Sequence, residues 1–462
     1  MLIFDTAVLT SLLDHFARGG GGGSGGGGGS SSSGSGGGGN DGVFVLLGYF
    51  PTHFVGAFFR KKLHNPIGLV LTTIITLAYA GVWLYLGLFG FIVALAAVVG
   101  GPAGYFGWFS VIGRMINKSK ETKAEMAVAF NKDPAWYEQD ITNRVSTIFT
   151  TFQNDWSTFN VESMRTYVTQ PYMYHLELML YALKLRKRRN DMKDVVIKQL
   201  MPVAITDADD NSQDRITYYI EASAQDSVVE TVDGTDKNLF TDKSTFSELW
   251  HLVRSGNTWN LESIEQTTAN ITMQSTKIKE FAAANNMYYS LDWGWLLLPR
   301  QGVLFSKGAF GTSDINNHVI GPYNSLLIEV YTYIDKPTND SSKNYTIAQA
   351  ALPKRYGSII VEAKQSWTNN AFRLGRAPKG YNKISMEWPD FNKRYTVYAT
   401  DIEQVTAFEL LHPVYMEKLF ALPFKVSIEV VDNVVYLYSL DNKADYTTML
   451  NLLKDAFKEM RL

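Results

Sequence analysis

The sequence predicts a multi-domain membrane protein in which an N-terminal α-helical transmembrane module precedes two α+β domains. Three observations support this fold class. Residues 63–113 contain no Asp, Glu, Lys or Arg, and a helix that spans a bilayer needs about 20 apolar residues. From residue 133 the apolar spacing is first that of helices and then that of strands, and a second mixed segment begins at residue 273.

The first 42 residues are predicted to be a disordered, glycine-rich tail. Residues 19–39 consist of Gly and Ser alone, a composition that behaves as a flexible coil. Residues 1–18 carry Asp5 and Asp14 and lack the basic start of a signal peptide. They are interpreted as a short helix or as the remains of a leader.

The transmembrane region is predicted to cover residues 43–113, with spans at 67–86 and 89–113. Residues 43–59 form a possible third span, but Pro51 and His53 interrupt this short run, so it is either a span or an interfacial or re-entrant segment. The glycines and the proline of residues 100–104 either kink the last span, let a neighbouring helix approach, or only fill space.

Both flanks of the paired spans are basic. Residues 114–132 are predicted to be a juxtamembrane basic linker, and the positive-inside rule places both flanks in the cytoplasm. We therefore expect a multi-pass plasma-membrane protein with cytoplasmic α+β domains. The flanking cations are Arg60, Lys61, Lys62, Arg114, Lys118, Lys120 and Lys123.

The first α+β domain is predicted at residues 133–270. Asp133 and Pro134 form a helix start, and residues 133–159 place aromatic and β-branched side chains at helical spacing. Two shorter helical patterns follow at 161–168 and 171–187. Alternating runs then predict strands at 195–204, 215–224, 246–254 and 258–266, the last two joined by a hairpin turn.

Residues 152–183 and 246–266 together resemble the Tim-forty-four-like domain, a family named for the membrane tether of the mitochondrial import motor. The matching residues are Trp156, the segment 167–171 with Thr169 and Pro171, the Trp250 to Arg254 pair, and Trp259 with Leu261. The resemblance implies a cone of the nuclear-transport-factor-two-like type, with helices on a curved antiparallel sheet and an apolar pocket. It implies contacts with membranes and protein partners, and no catalytic residue.

The second α+β domain is predicted at residues 273–462. It contains strand patterns, a helix at 405–420, a hairpin that turns at Asp432 and Asn433, and a closing amphipathic helix at 446–460. Residues 391–438 are similar to a bacterial domain of unknown function, which implies a fold but no activity.

The chain offers little catalytic or metal-binding chemistry. It has no Cys, which excludes disulfides, thiol catalysis and Cys-ligated metals. The seven His have no ligand spacing. Residues 207–214 superficially resemble a calcium loop but lack its glycine and its final Glu, so a polar turn is the preferred interpretation. No catalytic residue, metal or cofactor is predicted, and nucleic acid is not an expected partner.

A basic run near the end of the last helix of the first domain has two interpretations. It is either a solvated helix end, where cations interact favourably with the negative end of the helix dipole, or a contact for anionic lipid headgroups. The possible lipid contacts are Lys184, Arg186, Lys187, Arg188 and Arg189 of this run, together with Arg60, Lys61, Lys62, Arg114, Lys118 and Lys120.

Together these features predict a non-enzymatic, membrane-anchored scaffold or adaptor whose α+β domains bind a protein partner or anionic lipid. Its oligomeric state is left open. The alternative is a small-molecule-binding or isomerase-type enzyme that uses the pocket of the first domain. Such an enzyme needs a tyrosine and a carboxylate of raised pKa, for which Tyr218 or Tyr219 with Glu221 are the candidates.

Overall fold

The computed structural model of the 462-residue chain describes residues 45–62, 66–84, 87–106, 111–267, 273–291, 293–305, 315–335, 343–353, 355, 357–364, 378–400, 404–441 and 443–459. The predicted tail of residues 1–42 lies outside this set. A π-helix at Val45–Tyr49 comes first, and short 3-10 helices lie at Pro134–Trp136, Asn211–Gln213 and Trp293–Leu297.

The α-helices are α1 (Phe50–Lys62), α2 (Pro66–Trp83), α3 (Gly87–Phe106), α4 (Val111–Phe130), α5 (Glu138–Thr158), α6 (Val161–Met164), α7 (Gln170–Leu185), α8 (Met273–Ala284), α9 (Pro389–Arg394), α10 (Gln404–Leu410), α11 (Pro413–Ala421) and α12 (Tyr446–Glu459). The strands are β1 (Arg188–Thr206), β2 (Arg215–Val232), β3 (Thr235–Asp242), β4 (Thr245–Ser255), β5 (Thr258–Gln266), β6 (Tyr288–Ser290), β7 (Ile315–Tyr323), β8 (Leu326–Asp335), β9 (Lys343–Ala351), β10 (Gly357–Ala363), β11 (Asn382–Ile384), β12 (Tyr395–Ala399), β13 (Ser427–Asp432) and β14 (Val434–Ser439).

The chain divides into two compact units built from interleaved segments. Unit 1 comprises Met1–Phe149, Val196–Ser223 and Ser244–Thr268. Unit 2 comprises Thr150–Val195, Ala224–Lys243 and Ala269–Leu462. Helix α5 and strands β1 and β2 therefore have residues in both units. The predicted domain limits of 133–270 and 273–462 stay predictions.

The predicted transmembrane module is wrong. Among the helices that the structure describes, none combines the length and the apolar character needed to cross a membrane. The described part of the charge-free run is divided among α2, α3 and the start of α4. The apolar run before it ends in α1, which has 13 residues, about 20 Å of helix, against a hydrocarbon core of about 30 Å. Helix α2 contains three threonines, and α3 contains five glycines and a proline, so lack of charge alone does not identify a spanning helix. The predicted multi-pass plasma-membrane location and orientation rest on these spans and are therefore not supported either.

Helices α1, α2 and α3 of unit 1 pack through small residues. Helix α3 contacts both α1 and α2. A Cβ added at Gly100 would collide with Thr52 and Tyr49, and one added at Gly101 would collide with Thr76. Of the three interpretations of residues 100–104, the close approach of a neighbouring helix is therefore the one observed.

The rest of unit 1 is a helix-on-sheet core. In unit 1 the strand order is β1-β2-β4-β5, with antiparallel β2–β4 and β4–β5 pairs. The Trp136 ring lies 4.9 Å from that of Trp259, and the Phe149 ring lies 5.1 Å from that of Trp250. Arg254 binds both Asp133 and Asp214, which fixes the segment before α5 to the end of β4.

Unit 2 contains a nine-stranded sheet in the order β11-β12-β10-β13-β14-β9-β8-β7-β6. The recorded pairs are antiparallel. Both edge strands are only three residues long, which limits the edge available for pairing with other chains. The predicted turn at Asp432 and Asn433 joins β13 to β14, and Asp432 has a φ of 58°.

The two faces of this sheet differ in chemistry. One face packs apolar side chains such as Val330, Leu437 and Ile428 against buried residues of α8, α10, α11 and α12. The alternate positions on the same strands carry tyrosines and carboxylates, and residues 298–305 cover part of that second face. We call it the tyrosine face.

Candidate functional site

A buried hydrogen-bond network on the tyrosine face is centred on Glu329 of β8. Arg186, just after α7, donates from Nη2 to Glu329 Oε1 at 2.7 Å. His318 Nε2 lies 3.0 Å from the other carboxylate oxygen, and Gln349 donates to Oε1 at 3.0 Å. Tyr331 donates to Gln349 at 2.6 Å. We call these five residues the Glu329 network.

The network stabilises a negative charge where burial opposes it. Burial alone would raise the pKa of Glu329, but the charge of Arg186 and the hydrogen bond with His318 prevail and lower it to about 2. Loss of one partner of such a pair leaves an uncompensated buried charge. Glu329 is therefore held ionised and is no proton donor near neutral pH.

Two histidine nitrogens beside the network have no hydrogen-bond partner among the described residues: His175 Nε2 and His318 Nδ1. The His175 ring stacks on Tyr288 with 5.5 Å between centroids. Burial, and then the proximity of His318, lower the pKa of His175 to about 3. His175 is thus a neutral ring in the core near neutral pH.

A second charged cluster fixes the covering segment to unit 2. Arg188 of β1 donates from Nε to Glu230 at 3.0 Å and from Nη1 to the Leu298 carbonyl at 2.6 Å. Arg300 donates to the other oxygen of Glu230 at 3.2 Å. Arg188 is buried, so these bonds satisfy a guanidinium that has little access to water.

Glu429 of β13 is another buried carboxylate of the tyrosine face. Its two oxygens accept from the Val303 backbone N–H at 2.7 and 3.0 Å. Burial raises the pKa of Glu429 to about 7 although the N–H groups of Val303 and Leu304 oppose the shift. Glu429 therefore changes charge near neutral pH.

The basic residues proposed for lipid contact are not one surface. Arg186 and Arg188 turn inward to Glu329 and Glu230, so the solvated-helix-end interpretation and the lipid interpretation both fail for these two. Lys184 and Lys187 are exposed, and Arg189 is half-buried and pairs with Asp191 and Asp236. A further three, Arg114, Lys118 and Lys120, are exposed on α4. Finally, Arg60, Lys61 and Lys62 end α1, and their side chains lie outside the described set.

Residues 207–214 form a capped turn. Asp210 accepts from Ser212 N–H, and Asp214 accepts from Ala208 N–H and from Arg254. The polar turn predicted before β2 is thus present. Over the described residues, no group of three His, Cys, Asp or Glu side chains is placed to hold a metal ion.

The residues of the enzyme hypothesis have hydrogen-bond partners in unit 1. The Tyr218 hydroxyl lies 2.9 Å from Thr142 Oγ1, and Tyr219 donates to Glu221 at 3.2 Å. Burial, and then Glu221, raise the pKa of Tyr219 to about 12. These contacts place a tyrosine and a carboxylate together, but the tyrosine is a weaker acid than usual.

Helices α2 and α3 of unit 1 carry exposed apolar side chains. These helices bury small residues, such as Thr72, Thr76 and Ala97, and expose large ones. The exposed side chains recur at helical spacing and form two stripes: Ile67, Val70, Ile74 and Leu77 on α2, and Phe91, Leu95, Val98 and Val99 on α3.

Comparison with known families identifies only the C-terminal part. A family described as "Protein of unknown function (DUF3137)" matches residues 345–451. This confirms the predicted similarity of the C-terminal segment to a domain of unknown function. The Tim-forty-four-like resemblance is not supported, and that prediction is wrong. Its signature residues Trp156, Trp250, Arg254 and Trp259 are buried packing residues, and core packing of this kind is not specific to one family.

Comparison with curated proteins gives no match. Among solved structures, the mycobacterial trehalose monomycolate transport factor A, TtfA, is 13% identical, with 40% of this chain and 95% of that chain covered and a TM-score of 0.28. The intermembrane space region of the chloroplast protein ARC6 is 14% identical, with 27% and 95% covered and a TM-score of 0.22.

An Ntf2-like protein involved in plasmid conjugation is 7% identical, with 43% of this chain and 82% of that chain covered and a TM-score of 0.15. Similarities this weak carry no inference about fold or function. The cone-shaped fold implied by the resemblance therefore gains no support from them.

Glu329, His318 and Glu429 are site residues that the sequence motifs do not predict. The available signal was a carboxylate inside an otherwise apolar strand, as in Ile428-Glu429-Val430. Such a charge requires either a buried partner or a raised pKa. The identity of the partner could not be read from the sequence, because Arg186 lies far from Glu329 along the chain.

Proposed function

We propose that this protein is a non-catalytic adaptor that binds a protein partner through the two apolar stripes of α2 and α3. The observation that carries the proposal is the reversed distribution of side chains on these helices. Ile74 is 57% exposed and Leu95 is 58% exposed, whereas Thr72 is fully buried. Contiguous apolar surface of this kind marks an interaction site.

The expected partner presents an apolar helix. The stripes repeat at intervals of three and four residues, which is the spacing that another helix packs against by ridges and grooves. Burying one Ile or Leu side chain contributes about 1.5 to 3 kcal/mol. A few central contacts can therefore contribute a large share of the binding free energy.

The non-catalytic part of the proposal is supported by unit 2. The carboxylate of Glu329 is bound by Arg186, His318 and Gln349, and that of Glu429 is bound by backbone N–H groups. Groups whose hydrogen-bonding capacity is used within the fold stabilise it and have little capacity left for a substrate.

Site-specific photo-crosslinking in cells tests the proposal. A photoreactive amino acid at position 74 or 95 should give one protein adduct of defined mass, and one at exposed position 121 should not. The partner, once identified and purified, should bind Ile74→Asp and Leu95→Asp at least tenfold more weakly than the unmodified protein, with Glu121→Gln as the matched control.

Two results would overturn the proposal. One is crosslinking at positions 74 and 95 to lipid alone. The other is unchanged binding of the purified partner to both aspartate variants. Thermal unfolding of each variant must be checked, and because both side chains are more than half exposed, we expect little change in stability.

A further inference from the structure

Residues 298–305 lie on the tyrosine face and are attached to unit 2 at both ends. At one end, the Leu298 carbonyl accepts from Arg188 at 2.6 Å. At the other, Phe305 packs its ring 5.1 Å from Tyr333 and 5.2 Å from Tyr436. We call residues 298–305 the strap.

Between these ends the strap is held by Glu429. The carboxylate accepts from the Val303 N–H, and the Leu304 N–H adds to the same interaction. Gly302 has a φ of 98°, and a Cβ added there would lie 2.8 Å from a Glu429 oxygen. The strap backbone therefore approaches the carboxylate more closely than a side-chain-bearing residue allows.

The groups that face Glu429 from the elements around it include no cation among the described residues. From β14 these are Tyr436 and Tyr438, whose pKa values are both raised by burial, so both are neutral. From the strap they are backbone N–H groups, while the strap's cation, Arg300, donates to Glu230. On β10 the residue opposite Glu429 is Ile360, with Glu362 two positions further along. Arg186 and Arg188 act on Tyr436 instead.

We propose that the strap is a pH-sensitive element of unit 2, closed while Glu429 carries a proton and loosened when Glu429 ionises. An ionised carboxylate that is buried with no cationic partner regains its hydration only if its cover moves away. The cover is the strap, and its contacts with Glu429, Arg188 and Glu230 are the polar attachments described above. This inference is independent of the proposed partner-binding function.

The sign and size of the effect follow from linkage. The closed state holds its proton up to a pKa of about 7, and a hydrated Glu titrates at 4.5. The closed state thus binds more protons between these values, and closure weakens as pH rises. From pH 5 to pH 8.5 the ratio of closed to open strap should fall on the order of 70-fold.

Hydrogen exchange of the full-length protein tests this proposal. Protection factors, corrected for the intrinsic exchange rate, should fall on the order of 70-fold for Val303 and Leu304 between pH 5 and pH 8.5. The amide of Val330 in β8 should change little. In Glu429→Gln the strap should show the same protection at both pH values, and Glu280→Gln, an exposed substitution on α8, should behave as the unmodified protein.

Two outcomes would overturn the proposal. One is a change of less than about threefold in strap protection in the unmodified protein, a measurement that does not depend on any variant folding. The other is a pH dependence in Glu429→Gln equal to that of the unmodified protein. A parallel loss of protection at Val330 would show global unfolding of unit 2 and would also contradict a local strap.

Discussion

Removing the cation of the Glu329 network should destabilise unit 2 in a pH-dependent way. The variant Arg186→Met keeps an unbranched side chain of similar length but removes the guanidinium that lies 2.7 Å from Glu329 Oε1. Glu329 is almost fully buried, so its charge loses the guanidinium and keeps only the contacts with His318 and Gln349. Breaking a buried pair by deleting one partner costs about 3 to 5 kcal/mol.

The pKa of Glu329 supports a figure of the same order. Its pKa is about 2 in the fold and 4.5 as a free side chain, which corresponds to about 3 kcal/mol of stability at pH 7. Because the pKa is lowered in the fold, this contribution is present above pH 4.5 and is lost as pH falls through 4.5 towards 2. In Arg186→Met burial dominates, so Glu329 takes up a proton in the fold on mild acidification.

The cost of Arg186→Met should therefore be larger at pH 7 than at pH 4. Urea unfolding of the full-length protein at the two pH values measures it. Lys184→Met, at an exposed lysine two residues earlier, is the matched control and should change stability by less than about 0.5 kcal/mol. The double variant Arg186→Met with Glu329→Gln should recover part of the loss at pH 7.

A loss of stability below about 1 kcal/mol for Arg186→Met at pH 7 would refute this reasoning, because removing one partner of a buried ion pair should be strongly destabilising. Equal costs at pH 4 and pH 7 would refute it as well. In that case lost packing, and not charge, would explain the destabilisation.

Two further predictions concern unit 1. Gly101→Ala should lower the free energy of unfolding by about 1 to 3 kcal/mol, because the added Cβ meets Thr76. The control Gly81→Ala adds its Cβ in open space and should be neutral or stabilise by up to about 1 kcal/mol. Thermal unfolding distinguishes the two variants, and equal effects would contradict the close packing at Gly101. Replacing Arg114, Lys118 and Lys120, the exposed cations of α4, together by glutamine should weaken binding to anionic vesicles by about 1 kcal/mol per residue. Co-sedimentation with neutral vesicles is the control. Unchanged binding to anionic vesicles would exclude a lipid contact by these residues.

Local patterns in the sequence predicted much of the secondary structure. The hairpin at Asp432 and Asn433 and the closing amphipathic helix from Tyr446 both occur where the residue types require them. The helix predicted at 405–420 instead breaks into α10 and α11. Pro413 cannot donate within a helix and forces His412 into an extended conformation, with a ψ of 146°.

Long-range pairing could not be predicted in the same way. The composition of the basic run at 184–189 does not reveal its partners, since Arg186 and Arg188 pair with carboxylates on distant strands. Lack of charge in residues 63–113 was likewise interpreted as membrane insertion, although the described helices there do not meet the requirement for a span. For both segments the sequence gives the composition, but it does not give the carboxylates or the helices that these residues contact in the fold.

The most direct test of the adaptor proposal is photo-crosslinking at position 74 of the full-length protein in cells, with and without Leu95→Asp. The proposal predicts one protein adduct of defined mass that is strongly reduced by Leu95→Asp and unaffected by Glu121→Gln. Adducts with lipid alone, or a protein adduct that Leu95→Asp leaves unchanged, would contradict it.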